Sequence, residues 1–233
     1  MLIISRHQQI LDILKREKSV TVARLAKEVF ASEPTIRRDL AVLEEQGQIK
    51  RVYGGAVLGG APDREIPYEV RAGEQEGAKS IMAAKAAHYL KKGDVVFLDG
   101  SSSASHMVEH IARVGDILVV TSGAKTAIAL AERGVRVIST GGQMIPRSFT
   151  YVGSHAEACV RSIRADTVFF SCRGLSLEGE MTDLSIEEIN LRRAMLERAR
   201  VKILLCDSSK LGKQYMYSLG YREDLDAVIS EVD

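Results

Sequence analysis

Apolar residues recur at helical spacing in three successive segments near the start of the chain. Such spacing places them on one face of each helix, which can then pack against the other two. A serine or threonine just before a helix also caps it, because the hydroxyl accepts a hydrogen bond from a free backbone N–H. The pattern predicts helices from Ser5 to Glu17, from Val22 to about Val29 behind the cap Thr21, and from the cap Ser32 to Gly47.

Only Phe30 and Ala31 separate the second predicted helix from Ser32. Two helices joined by so short a turn must cross, and this arrangement is the helix-turn-helix, whose second helix enters the major groove of DNA. The segment 49–58 is typical of a β-hairpin with its turn at Gly54 and Gly55. Residues 1–58 are therefore predicted to be a winged helix-turn-helix domain.

From residue 78 to residue 233 the pattern changes to short β-branched runs that alternate with helical stretches. This alternation is typical of an α/β fold with a mostly parallel sheet and helices on both faces. Between the two patterns, residues 59–77 are polar and broken by glycine and proline, which predicts a linker; within it, 68–71 is either a short helix or a tether. Predicted strands cover 95–98, 117–120, 135–138, 167–170, 201–205 and 227–229, and predicted helices cover 79–91, 103–113, 125–132 and 186–199.

Small, hydroxylated or basic residues follow five of the predicted strands. Ligands of parallel sheets bind beyond the carboxyl ends of the strands, and glycines and hydroxyls before a helix suit a phosphate. Each turn alone is more typical of an ordinary capped turn, but their joint occurrence favours an anionic, polyhydroxylated ligand. The segments are 99–103, 121–123, 140–142, 172–174 and 207–210.

The composition argues against several other kinds of site. With 45% apolar and 27% charged residues, the chain resembles an ordinary soluble protein, and no apolar run approaches the roughly 18 residues of a membrane span. We therefore expect a cytoplasmic location without membrane contact. Cys159, Cys172 and Cys206 are odd in number and widely spaced, which predicts reduced, structural thiols. The sequence predicts no metal site and no cofactor.

The net charge of +1 hides an asymmetry, since the predicted DNA-binding domain holds ten lysines and arginines against seven acidic residues. This excess is modest, so the placement of charge carries more weight than its total. Ser32, Thr35, Arg37 and Arg38 occupy the outward face of the third predicted helix, where they suit phosphates and base edges, although arginine pairs are also typical of a solvated face. Asp39 is expected to pair with a nearby arginine rather than to read a base.

This domain contains two motifs, Thr35-Ile36-Arg37-Arg38-Asp39-Leu40 and Arg51-Val52-Tyr53-Gly54-Gly55-Ala56, that resemble those of the DeoR family of bacterial transcriptional regulators. The resemblance implies that the third helix enters the major groove while basic residues of the hairpin hold the flanking DNA backbone. The candidate DNA-contacting residues are Thr21, Ser32, Glu33, Thr35, Arg37, Arg38, Lys50 and Arg51.

The stretch from Lys79 to about Lys213 resembles the effector domain of the same family. That resemblance implies the fold of ribose-5-phosphate isomerase and glucosamine-6-phosphate deaminase, in which a serine- and threonine-rich loop holds a sugar's phosphate. It also implies that Asp99 and Asp183 contact sugar hydroxyls and that Lys210 reaches the ligand's anionic or carbonyl end. The candidate effector-binding residues are Asp99, Gly100, Ser101, Ser102, Ser103, Thr121, Ser122, Gly123, Gly141, Gly142, Arg173, Asp183 and Lys210.

The leading functional hypothesis is a repressor of a sugar-catabolic operon that leaves double-stranded operator DNA when a phosphorylated sugar binds. It implies a homodimer or homotetramer, because a palindromic operator matches a two-fold symmetric protein. The alternative is a sugar-phosphate isomerase or amino-sugar-phosphate deaminase with Asp99, Glu157 and Lys210 as acid–base groups, although a shared fold does not establish such activity. The choice between repressor and activator stays open.

Overall fold

The chain divides into two compact units, at residues 1–74 and 75–233. The division lies inside the segment that was predicted to be a linker, 59–77. The computed structural model describes residues 3–17, 19–45, 49–58 and 66–232. Linker residues 59–65 and Gly47, the predicted end of the third helix, lie outside the described residues.

The described part of the first unit combines helices with a three-stranded sheet. Ile10, Leu14, Leu25, Ile36 and Leu40 come from three successive helices and form a buried apolar core, as the helical spacing predicts. Residues 68–71, for which a helix and a tether were both considered, lie in a helix. The elements are α1 (Ile3–Glu17), β1 (Ser19–Thr21), α2 (Val22–Glu28), α3 (Glu33–Glu45), β2 (Ile49–Val52), β3 (Gly55–Leu58) and α4 (Tyr68–Gly73).

The sheet of this unit has the strand order β1, β3, β2 and is antiparallel throughout. Strand β1, which the pattern did not predict, adds to the predicted hairpin. The chain turns at Tyr53 and Gly54, where the φ angle of Gly54 is +75°. Gly55 lies within β3, and a Cβ there would be 2.3 Å from the carbonyl oxygen of Val20. The second glycine therefore permits close pairing of β3 with β1 rather than the turn that was predicted for it.

The described residues of the second unit form an α/β fold. Its helices are α5 (Glu76–Ala86), α6 (Val108–Val114), α7 (Ala124–Glu132), α8 (Ser154–Arg161) and α9 (Ile186–Arg198). Its strands are β4 (Val95–Leu98), β5 (Leu118–Thr121), β6 (Arg136–Ser139), β7 (Gln143–Ile145), β8 (Thr150–Val152), β9 (Ala165–Phe170), β10 (Gly174–Leu175), β11 (Glu180–Asp183), β12 (Ala199–Leu205), β13 (Tyr217–Tyr221) and β14 (Ala227–Ile229). Short 3-10 turns cover Ala87–Tyr89, Ala104–Met107, Ser208–Lys210 and Arg222–Asp224.

Six parallel strands form the main sheet, in the order β14, β12, β9, β4, β5, β6. Alternate residues of β4 enter different apolar layers: Phe97 packs with residues of α8 and α9, whereas Val96 and Leu98 pack with residues of α5 and α6. Helices thus cover both faces, which is the arrangement expected of a parallel sheet. The predicted winged helix-turn-helix and mostly parallel α/β sheet are both confirmed.

Three features of the second unit escaped the sequence pattern. They are helix α8, the β7–β8 hairpin, and the small antiparallel sheet of β10, β11 and β13. Within the eight-residue α8, Ala156 and Val160 are the buried residues, so its apolar signal is weak. No helix among the described residues is long and apolar enough to cross a membrane.

Candidate functional site

The hydroxyls of Ser32 and Thr35 lie at the N-terminus of α3, as the sequence predicts. Ser32 Oγ lies 2.8 Å from Thr35 Oγ1 and accepts a hydrogen bond of 3.4 Å from the backbone N–H of Thr35. Ser32 thus caps the helix, as predicted. Thr21 plays the same part at α2, where its Oγ1 accepts from the backbone N–H of Arg24 at 3.2 Å.

The basic residues of α3 and of the β2–β3 hairpin, which is the wing of this unit, differ in how firmly other side chains hold them. Arg37 lies 3.4 Å from Glu33 in an exposed i,i+4 pair. Arg51 is held more firmly, because its Nε lies 2.6 Å from Glu44 Oε2 and its backbone N–H donates to Glu44 Oε1 at 2.7 Å. Arg38 and Lys50 are exposed, and their side chains make no hydrogen bond or ion pair with any described residue.

Asp39 has the structural role that was predicted for it. Its carboxylate accepts two hydrogen bonds from Arg6, at 2.5 and 2.9 Å, and lies 3.1 Å from Nε2 of His7. Burial alone raises the pKa of Asp39, but the bonds from Arg6 and His7 outweigh it and hold the pKa below its ordinary value. This ion pair ties α1 to α3, so Asp39 fixes the position of α3 and has its partners within the first unit.

In the second unit, Lys210 joins the carboxyl ends of three neighbouring strands. Its Nζ donates to Ser103 Oγ at 3.2 Å and to Ser171 Oγ at 2.7 Å, and lies 3.2 Å from Asp207 Oδ2. These residues follow β4, β9 and β12 respectively, so the structure brings two predicted effector residues, Ser103 and Lys210, into direct contact. Burial alone raises the pKa of Asp207, but the charge of Lys210 contributes to holding that pKa below its ordinary value.

Asp99 is buried and bonded on both carboxylate oxygens. Oδ1 accepts from the backbone N–H of Ser101 at 3.1 Å, and Oδ2 accepts from the backbone N–H of Ser171 at 3.2 Å and from Arg192 Nε at 2.9 Å. Ser101 Oγ in turn accepts from the backbone N–H of Ala104 at 3.1 Å. The carboxylate therefore shapes the serine-rich loop from within.

Arg192 is the central residue that sequence reasoning missed. Besides Asp99, its guanidinium reaches Asp183 Oδ2 at 2.6 Å and Glu188 Oε2 at 2.7 Å, and only 6% of the side chain is exposed. Burial alone raises the pKa of Asp183, but the charges of Arg192 and Arg173 outweigh it and hold that pKa below its ordinary value. Two predicted residues, Asp99 and Asp183, are thus joined through a third that was not predicted.

The glycines of the first two turns pack against each other and against β8. A Cβ at Gly100 would lie 2.2 Å from Thr150 Oγ1, and a Cβ at Gly123 would lie 3.2 Å from the Cα of Gly100. Thr121 Oγ1 accepts from the backbone N–H of Gly123 at 3.1 Å, and the Ser122 carbonyl accepts from the backbone N–H of Tyr151 at 2.8 Å. The predicted phosphate turns are therefore adjacent, and glycine permits their approach.

The other candidate effector-binding residues are not part of the hydrogen-bonded clusters around Lys210 and Arg192. Gly142 has a φ of +103° and packs against β8, where a Cβ would lie 2.6 Å from the carbonyl oxygen of Val152; its neighbour Gly141 has a φ of +61°. Ser102 is buried, and its carbonyl accepts from Ser105 Oγ at 2.8 Å. The half-buried Arg173 guanidinium donates no hydrogen bond within the part of the chain that the structure describes.

The three residues considered for acid–base chemistry, Asp99, Glu157 and Lys210, do not all belong to one hydrogen-bonded cluster. Glu157 lies on α8 and pairs with Arg161 on the same helix at 3.3 Å. Cys159, Cys172 and Cys206 are free thiols. Within the described ranges, no group of three or more His, Cys, Asp or Glu side chains is arranged to hold a metal ion.

Comparison with known proteins agrees with this architecture. Residues 6–59 match the DeoR-like helix-turn-helix domain, and residues 74–232 match the DeoR C terminal sensor domain. The HTH-type transcriptional regulator YulB of Bacillus subtilis is 32% identical over 99% of this chain and 90% of its own length. The glycerol-3-phosphate regulon repressor of Escherichia coli is 27% identical over 97% of this chain and 90% of its own.

Among solved structures, eIF2B delta from Chaetomium thermophilum is similar with a TM-score of 0.53, covering 68% of this chain and 57% of that one at 16% identity. At this identity the likeness concerns the fold alone. The two domain matches together span nearly the whole chain, in the same order as the two units of the structure. The chain therefore belongs to the DeoR family of transcriptional regulators.

Proposed function

We propose that this regulator is a repressor of a sugar-catabolic operon and that a phosphorylated sugar, bound at the strand ends of the second unit, releases it from operator DNA. The observation that carries the proposal is the position of Lys210, whose ammonium group bridges Ser103, Ser171 and Asp207. Relatives of both kinds occur, since one is named the glycerol-3-phosphate regulon repressor and another the L-fucose operon activator, and we propose repression for this chain.

The DNA interface in this proposal is the N-terminal half of α3 together with the wing. Arg38 and Lys50 contact phosphates, because both are exposed without a hydrogen-bonding partner among the described residues. Ser32 and Thr35 lie at the helix N-terminus, where short hydroxyls suit backbone or base-edge contacts. Arg37 is available as a base reader once it leaves its exposed pair with Glu33.

The effector interface in this proposal is centred on Lys210. An incoming phosphate is a stronger partner for an ammonium group than a neutral hydroxyl, because it adds the attraction of an opposite full charge to the hydrogen bond. Phosphate binding would therefore draw Lys210 away from Ser103 Oγ and Ser171 Oγ, while its ion pair with Asp207 persists. The close approach of Gly123 to Gly100 brings the two predicted phosphate turns to the same strand ends, although the N–H of Gly123 itself donates to Thr121 Oγ1.

Release from DNA requires that the sugar bind one state of the protein more tightly than the other, since equal affinity shifts no equilibrium. The exchange of partners at Lys210 supplies such a difference, because it changes the bonds that tie the ends of β4, β9 and β12. We infer that the repressor acts in the cytoplasm as a homodimer or homotetramer on a palindromic operator.

The proposal includes no turnover of the sugar. Asp99, considered above as an acid–base group, is only 1% exposed and bonded to Arg192, Ser101 and Ser171. Glu157 pairs with Arg161 on α8. Stereospecific conversion of any sugar phosphate by the purified protein would overturn this part of the proposal.

The experiment is binding of the purified protein to DNA from its own promoter and from neighbouring promoters at fixed salt, with a panel of sugar phosphates and their unphosphorylated parents. One phosphorylated sugar is expected to weaken binding while its parent does not. Lys210→Met is expected to keep DNA binding but lose the response, and Lys213→Met, which removes the same charge from an exposed position, is expected to keep both. DNA binding that no sugar phosphate alters would contradict the effector proposal.

A further inference from the structure

Phe30 stands out in the first unit for both its conformation and its exposure. It lies in the turn between α2 and α3 with a φ of +52°, in the left-handed region that bulky residues rarely adopt. Its relative exposure is 91%, so the ring packs against almost nothing in its own unit. The backbone conformation opposes folding, because left-handed angles are strained for a residue with a Cβ, and the exposed ring contributes no burial to offset that strain.

The hydrogen bonds around the turn show why the backbone adopts this conformation. The N–H of Ala31 donates to the carbonyl of Ala26 at 3.0 Å, across the end of α2. This is the Schellman arrangement of a helix C-terminus, in which the residue before the donor takes left-handed angles and is usually glycine. Ala26 and Ala31 also pack on the core of the unit, and an apolar contact of these two positions often accompanies that motif. The turn thus demands a left-handed residue at position 30, yet the sequence places phenylalanine there.

Residues that oppose local structure tend to be found at functional sites. Phe30 lies just before α3, the helix proposed to enter the major groove, since Ser32 caps α3 two residues later. In a helix-turn-helix the N-terminal residues of that helix approach the bases. Arg38 and Lys50 of the same unit are exposed cationic side chains, and neither has a hydrogen-bonding partner in the described ranges. Such side chains are suited to bind a polyanion such as DNA.

We propose that Phe30 contacts operator DNA directly, its ring packing against deoxyribose and thymine methyl groups at the edge of the major groove. Apolar contact with the thymine methyl is one of the ways in which phenylalanine meets DNA. The contact buries a ring that is otherwise in water, so it adds affinity without adding charge. This inference rests on the proposed DNA-binding function of the first unit.

The test compares Phe30→Gly with the wild type in the full chain. Glycine removes the strain, so the melting temperature of the variant is expected to rise by about 4 °C or more. Its affinity for operator DNA is expected to fall roughly tenfold, the equivalent of one buried aromatic side chain. The slope of log affinity against log salt is expected to stay unchanged, because no phosphate contact is lost.

Two further variants keep the result interpretable. Phe30→Tyr retains the ring and is expected to bind DNA within about twofold of the wild type. Asp116→Gly relieves a left-handed residue of the second unit, where the φ angle is +51°, and is expected to leave DNA affinity unchanged. A Phe30→Gly protein that is more stable and binds operator DNA as tightly as the wild type overturns the inference. If that variant changes only the sedimentation of the protein, the ring contacts a second copy and the inference is equally wrong.

Failure of the underlying function gives a different result. A wild-type protein that binds none of the promoter DNA tested would refute the DNA-binding proposal itself. The inference about Phe30 fails separately, when wild-type binding is strong and the glycine variant matches it.

Discussion

Arg192 and Asp99 form an ion pair that is almost closed to solvent, with Nε 2.9 Å from Oδ2 and side-chain exposures of 6% and 1%. Asp99 begins the serine-rich turn after β4, whereas Arg192 lies on α9 and also bonds Asp183 and Glu188. A single guanidinium thereby fixes the positions of two segments that border the candidate effector site.

Removal of this guanidinium should destabilise the second unit severely. Arg192→Ala leaves three carboxylates buried without their shared cation, and such a loss costs about 3–5 kcal/mol. Urea unfolding of the variant and the wild type measures the difference. The control is Arg200→Ala, because Arg200 pairs with Asp166 at an exposed position, where the expected change is below about 1 kcal/mol. Equal losses in the two variants would contradict the central role of Arg192.

The ion pair of Asp39 predicts a particular dependence of stability on pH. Because the pKa of Asp39 is lower in the folded protein than in the unfolded chain, its stabilisation is complete above about pH 5 and is lost as the pH falls through the folded value. Asp39→Asn lacks this contribution, so the wild type should lose more stability than the variant between pH 5 and about pH 2. Urea unfolding at several pH values checks this, and parallel curves would refute it.

Arg38 and Arg51 should differ in their effect on DNA binding. Arg38→Ala is expected to weaken binding to all sequences and to lower the salt slope by about one unit. Arg51→Ala is expected to lower it by less, since Glu44 already neutralises that guanidinium at 2.6 Å. Fluorescence anisotropy at several salt concentrations gives both slopes.

The matching variant for this comparison is Glu44→Gln, which frees Arg51 and should tighten binding. Equal slopes for Arg38→Ala and Arg51→Ala would mean that Arg51 leaves Glu44 when DNA binds.

Gly100 should tolerate no larger residue. A Cβ there would lie 2.2 Å from Thr150 Oγ1 and 2.8 Å from its Cγ2, so Gly100→Ala is expected to cost about 1–3 kcal/mol of stability. The double variant with Thr150→Ala removes both atoms and should recover part of the loss. Gly77→Ala, in α5 with nothing within 4 Å of the added atom, should be neutral or stabilising by up to about 1 kcal/mol. Urea unfolding distinguishes these outcomes.

The main elements of the fold could be predicted because each has a strong local signal. The helices of the first unit repeat their apolar residues at helical spacing, and the strands of the main sheet are short β-branched runs. Strand β1 has only three residues and is recognisable only by its pairing with β3. Helix α8 buries little more than Ala156 and Val160, so its pattern is faint.

The site was harder to predict than the fold, because side-chain partners depend on distant segments. From the sequence, Glu188 and Arg192 look like an ordinary surface pair at i,i+4. Only the fold reveals that Asp99, more than ninety positions away, completes the cluster. Likewise, nothing near Lys210 in the chain indicates its contact with Ser103.

The order of the main sheet also bears on how the chain is made. Strand β4 lies in the interior of the sheet, and its neighbour on one side, β9, pairs Val168 with Phe97. During synthesis at the ribosome, β4 therefore emerges long before β9 and must wait with one edge unpaired. Such late, non-local pairing slows folding and exposes apolar strands meanwhile. Until β9 emerges, the second unit is therefore exposed to aggregation at this edge of β4.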